Sequence, residues 1–177
     1  MSTLVPPKRS LIYIDGAQFR SAVSEELIQR QGAVSNFISL YQHSEKQFFI
    51  NGPYGIATVP ATALDGLTFF QFDAEIIDVW AFHIISGSSG TTELDVKVAT
   101  LGGSFASIFS TTPKFTSSAA NNSWVDSSGV VAPGTGVTAP VLSITNVNAG
   151  QALRFDLLQK QGGDPQNCGI VIHYRPR

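Results

Sequence analysis

The chain has 177 residues, 43% of them hydrophobic but only 14% charged, with 11 Lys and Arg against 13 Asp and Glu. A typical soluble domain has about a quarter of its residues charged, so polarity here rests on Ser, Thr, Asn and Gln. This excludes a coiled coil, which is rich in Ala, Glu, Lys, Leu and Arg, and a disordered tail, which lacks the apolar content; no apolar run approaches the roughly 18 residues of a membrane span.

Residues 1–67 read as an N-terminal arm or small subdomain. The first nine residues hold no secretory apolar stretch, so synthesis in the cytoplasm without export by that route is expected. Ser10–Asp15 fits a short strand. Ser21–Tyr41 fits a helix with Val23, Leu27, Val34, Ile38 and Tyr41 near one face and Ser24 as N-cap, although Gly32 costs about 1 kcal/mol relative to Ala. Gln47–Ile50, Asn51-Gly52 and Gly55–Val59 read as strand, turn and strand. The segment has too few apolar residues for its own core. It is expected either to complete the main sheet or to dock on a partner subunit.

Residues 68–177 alternate with period two and read as an antiparallel β-sandwich or jelly roll, making the chain mainly β. A single strand over Phe69–Ile85 would be about 55 Å long at roughly 3.3 Å per residue. A bulge near Ile77-Asp78 is therefore expected, with the second half buried on both faces. Ser86–Thr91 has hairpin length and leads to Thr92–Ala99, where Leu94, Val96 and Val98 oppose Glu93, Asp95 and Lys97. Asn121–Gly129 and Ala132–Gly136 read as polar loops. In Ala152–Leu157, Leu153, Phe155 and Leu157 point inward, and Gln161–Asn167 leads to a last strand with Ile170, Ile172 and Tyr174 on one face.

Chemistry-bearing patterns are sparse. His43, His83 and His173 form no metal-ligand spacing, and His83, among Trp80 and Phe82, reads as a structural histidine. Cys168 is alone and reads as a buried inert thiol. Asp73/Glu75 and Glu93/Asp95 share strand faces about 6.6 Å apart, near the separation of some glycosidase carboxylates, but they read as solvated faces. Gly87–Gly90 misses the nucleophile elbow, and Gly134-Thr135-Gly136 lacks a dinucleotide fingerprint. No catalytic residue, metal or cofactor is expected. The basic residues form no stripe for phosphates, the nearest clusters being Lys8-Arg9 and Arg175/Arg177, so neither nucleic acid nor a membrane is an expected partner. The one candidate contact is Trp124 with Asn121 and Asn122, either an exposed contact or the anchor of its loop.

The succession Thr91–Val98, Gly102–Lys114, Ala139–Leu142, Asn148–Leu157 and Gly169–Arg177 resembles the small jelly-roll or β-sandwich accessory proteins of tailed-phage virions. The resemblance spans residues 70–177. It implies a non-enzymatic virion protein assembled in the host cytoplasm. A capsid decoration (cement) protein is expected first, a homotrimer bound to the major capsid protein. The alternative is a receptor- or glycan-binding module of a head fibre or tail, with the Trp124 loop as its site. A polysaccharide-active enzyme using the acidic pairs is the least favoured reading.

Overall fold

The computed structural model describes residues 44–55, 59–64 and 66–177. The expected strand at 10–15 and helix at 21–41 lie outside the described residues. The rest is an antiparallel β-sandwich, and no helix occurs among the described residues.

One sheet places β13 (Gln166–Pro176) between β1 (Ser44–Pro53) and β3 (Ala74–Ile85); β8 (Ser123–Asp126) and β11 (Asn146–Val147) pair with different parts of β3. The other sheet runs β2 (Leu67–Phe69), β12 (Ala152–Gly162), β4 (Ser89–Ala99), β7 (Lys114–Thr116) and β9 (Val137–Thr138), with β5 (Ala106–Ser107) also on β4. A small ladder joins β6 (Phe109–Thr111) to β10 (Val141–Leu142). The segment Ser44–Pro53 thus belongs to the sandwich and pairs with the last strand, while the expected strand at Gly55–Val59 lies largely outside the described residues.

The connection at Ser86–Ser88 is not the hairpin its length implies, because β3 and β4 lie in different sheets. Alternation reports which residues share a face and carries no information on which strand lies alongside. Partners along β3–β4 and β12–β13 run continuously, from Ala74↔Pro176 to Gln166↔Ile85, then Gly162↔Ser89 and on to Ala152↔Ala99. The sandwich is therefore a two-stranded ribbon folded over on itself. β1 and β2 lie along its outer strand in the same manner.

The inner faces follow the alternation. Leu94, Val96, Leu153, Phe155 and Leu157 from one sheet meet Ala74, Ile76, Val79, Ala81, Ile170 and Ile172 from the other, all at most 2% exposed. Phe48 of β1 stacks on Phe155 at 5.7 Å between ring centroids, closing one flank of the core. At about 1.5–3 kcal/mol for each large side chain, this burial is the main term holding the two sheets together.

The fold-over needs close backbone approach. Gly87 donates its N–H to Gln161 Oε1 at 2.6 Å, and Ser88 donates to the Gly162 carbonyl at 2.9 Å. A Cβ on Gly87 would strike the Gly162 carbonyl and come within 2.8 Å of Gln161 Cβ. Gly134, by contrast, has open space at its Cβ position. Gly87→Ala is expected to destabilise the protein by about 2 kcal/mol in urea unfolding, and Gly134→Ala by less than about 0.5 kcal/mol.

Candidate functional site

The bulge expected near Ile77-Asp78 is present, and it decides which side chains reach the surface. On β13, His173 pairs with Asp78 and the next residue, Tyr174, pairs with Ile76, so Ile77 is the extra residue. Burial parity reverses there: Ala74 and Ile76 face the core before it, and Val79, Ala81 and His83 after it. Trp80 and Phe82 are thereby turned to the outer face, where they are half-buried.

Asp78 fixes this geometry. Its Oδ1 accepts the Val79 N–H and the Ser127 hydroxyl, each at 2.8 Å, and its Oδ2 accepts the Trp80 indole N–H at 2.6 Å. The carboxylate thus ties the bulge to the turn after β8 and orients the indole.

Cross-strand register then aligns Phe49, Gly169, Phe82 and Trp124 in one row across β1, β13, β3 and β8. Gly169 is what lets the row close. The Phe49 and Phe82 rings meet over it at 5.6 Å, and a Cβ there would lie 2.8 Å from both. The neighbouring row holds Gln47, Val171 and Trp80, and Trp80 lies 6.4 Å from His173. His173 Nε2 in turn approaches Glu45 Oε1 at 3.3 Å. The outcome is a mainly aromatic outer face with a polar margin.

Trp124 stands in a short strand, not in a loop, and is 52% exposed. The buried residues of that segment are its neighbours Val125 and Asp126, so Trp124 does not anchor it. Asp126 accepts hydrogen bonds from the Ser128 hydroxyl and the Val130 and Val131 N–H groups. Burial works to raise its pKa, but these donors outweigh it and hold the carboxyl below its ordinary value. The two asparagines beside Trp124 shape the turn. Asn121 Oδ1 accepts the Ser86 N–H at 2.9 Å, and Asn122 takes a left-handed backbone (φ 57°) while donating its N–H to Ile84 O at 2.8 Å. Asn tolerates that conformation better than most residues.

Of the two acidic pairs read as solvated, Asp73 is exposed and Glu75 partly so, whereas Glu93 and Asp95 are not. Glu93 and Asp95 are buried, 8% and 2% exposed, with Asp156 fully so. Asp95 pairs across strands with Asp156, and Lys97 with Arg154, so like charges sit side by side and opposite charges lie diagonally or along the strand. Lys97 Nζ lies 3.6 Å from Asp95 and 3.0 Å from Asp156, and Arg154 is 2.8 Å from Asp156. Burial pushes the Asp95 carboxyl up. Burial also acts to raise Asp156, but Arg154, the Ala63 N–H and Lys97 outweigh it and depress the value. Glu93 is held by the Thr112 hydroxyl and Lys114. Each of these carboxylates is engaged by structural partners, because a buried charge without them is costly. Of the other pair, Asp73 Oδ1 accepts the Ala149 N–H at 2.9 Å and Glu75 binds Arg175 at 2.7 Å.

Cys168 is buried, and burial pushes its thiol up to about 12, as an inert core thiol requires. Among the described residues, no group of three or more His, Cys, Asp or Glu is placed to hold a metal ion. His43 lies outside the described residues. No family model, curated protein or solved structure matches this chain, and the reading of the site rests on its geometry.

His83 is fully buried, stacked on Phe115 at 5.5 Å, and its Nε2 has no hydrogen-bond partner. Burial lowers its pKa from 6.5 to about 4. The unfolded chain therefore binds this proton more readily. The stability that neutral His83 confers is complete above pH 6.5 and is lost as pH falls toward 4, by about 3 kcal/mol in total. Buried Asp95 acts in the opposite sense, so the His83 contribution is read as the difference between wild type and His83→Gln. Urea unfolding from pH 7 to 4 is expected to show a steeper loss for the wild type.

Proposed function

We propose that this protein is a non-enzymatic virion structural protein, a capsid decoration protein that docks on the head shell through the aromatic outer face of the β1–β13–β3–β8 sheet. The observation that carries this reading is the row Phe49, Phe82 and Trp124. It is assembled by register and by Gly169, with Phe49 and Trp124 exposed and Phe82 half-buried on a face where an isolated domain would place polar residues. Aromatic residues are enriched in interface cores and charged residues depleted, and the row is aromatic and uncharged, with Glu45, Asp78 and His173 beside it. The resemblance of residues 70–177 to phage accessory proteins supplies the partner class, the major capsid protein, and the homotrimeric state.

A second reading is favoured by the indole of Trp124, half exposed at the end of the row. Aromatic rings of this kind also stack on sugars, which suits a glycan-binding module on a fibre or tail.

Two measurements separate the readings. Quantifying the protein in purified virions is expected to give on the order of hundreds of copies, as shell coverage requires, whereas a handful places it on a tail or fibre. Because a few central aromatic residues carry most interface energy, Phe82→Ser and Trp124→Ala are each expected to weaken shell binding at least ~30-fold. Unchanged shell binding together with lost glycan binding in Trp124→Ala decides for the second reading.

A further inference from the structure

Farther along the same edge of the sandwich, β1 and β2 leave a pocket of about 240 Å³ lined by Lys46, Phe69, Phe70, Gln71, Phe72 and Tyr174. Lys46 shares the inward face of β1 with Phe48, so a cation sits where the alternation calls for an apolar side chain. Its Nζ lies 5.0 Å from the Phe70 ring centroid and 5.6 Å from that of Tyr174. It donates to Thr68 Oγ1 and Phe69 O, both at 3.2 Å. An ammonium has three donors, and these contacts use two.

Among the described residues Lys46 has no ion-pair partner. The nearby acids are committed elsewhere: Glu45 points to the opposite face beside His173, Asp73 accepts the Ala149 N–H, and Glu75 pairs with Arg175. Burial alone drives the Lys46 pKa downward. A partly buried cation with no counterion among the described residues gains most from an arriving anion. Among the lining residues, Phe69 and Phe72 are 55% and 41% exposed. The volume equals that of about eight waters, enough for one ring or short chain bearing a carboxylate.

We propose that this pocket is a binding site for a carboxylate carried on a compact apolar body, with Lys46 holding the anion and Phe69, Phe72 and Tyr174 contacting the body. That chemistry is offered by a free small acid or by the C-terminus of a peptide ending in an apolar residue.

The full chain, isotope-labelled, is titrated with benzoate, hexanoate, the neutral isostere benzamide, and a tetrapeptide ending in Phe with a free or an amidated terminus. Benzoate is expected to shift the amides of Lys46, Phe69–Phe72 and Tyr174 saturably in the ~1–10 mM range, with benzamide at least ~tenfold weaker. Lys46→Met, which keeps the apolar stem, is expected to lose at least ~tenfold in benzoate affinity at an unchanged circular dichroism spectrum. The free-terminus peptide binding more tightly than benzoate assigns the site to a chain end, and the reverse assigns it to a small acid. Equal binding of benzamide and benzoate by the wild type overturns the proposal without reference to any variant. Undiminished benzoate binding by Lys46→Met, or the absence of saturable shifts up to ~50 mM, overturns it as well.

Discussion

One extra residue, Ile77, sets the terms for the rest of this structure. The pairing of β3 with β13 is the spine of its sheet, and side chains along a strand alternate strictly between faces. Without the bulge, the faces that bury Ala74 and Ile76 would continue into Trp80, Phe82 and Ile84, and Val79, Ala81 and His83 would face out. With it, small residues and a histidine fill the narrow centre of the sandwich, and the two large aromatics emerge on the far side. Bulges commonly re-aim side chains in this way. Asp78 holds this one by binding the next N–H, the Trp80 indole and Ser127 with a single carboxylate.

The two sheets treat their outer faces differently, and this gives the low charge count its meaning. Behind β4 and β12 the outer face holds a buried charge lattice, Asp95, Lys97, Arg154 and Asp156, capped by the Phe105 ring 4.4 Å from the Arg154 guanidinium. Glu93 with Lys114 and Glu75 with Arg175 are likewise paired. In a chain with 14% charged residues, Asp95, Asp156 and Glu93 are thus held in buried pairs. Behind β13 and β3 the outer face is aromatic. The uncharged aromatic row on this face is the physical basis for the proposal that the molecule works by packing against others.

Much of the sandwich was legible in the sequence. The alternation at 92–99, 152–157 and 169–175 identified the core faces correctly, and strand length alone called for the bulge near Ile77. Strand neighbours were not legible, since alternation is blind to which chain lies alongside; Ser86–Ser88 looks like a hairpin loop and is a crossing between sheets. The burial of Glu93 and Asp95 was also hidden, because Lys114, which pairs with Glu93, and Asp156 with Arg154, which lie beside Asp95 and Lys97, come from other strands that only register brings together. Trp124 was visible as a candidate, but its row was not. Nothing in the strand Gln47–Ile50 says which of its two phenylalanines faces out, and a glycine inside a strand, such as Gly169, gives only a faint signal of close approach.

The parity reversal is tested most directly by cysteine accessibility along β3. In a Cys168→Ala background, which removes the one buried native thiol, single cysteines at positions 79, 80, 81 and 82 are reacted with a small disulfide reagent under native conditions. The bulged register predicts that Trp80→Cys and Phe82→Cys react at least ~100-fold faster than Val79→Cys and Ala81→Cys, whose thiols are reached only by opening the sandwich. Protection of positions 80 and 82 with free reaction at 79 and 81 would show that the alternation continues unbroken through Ile77, and the aromatic face would not exist.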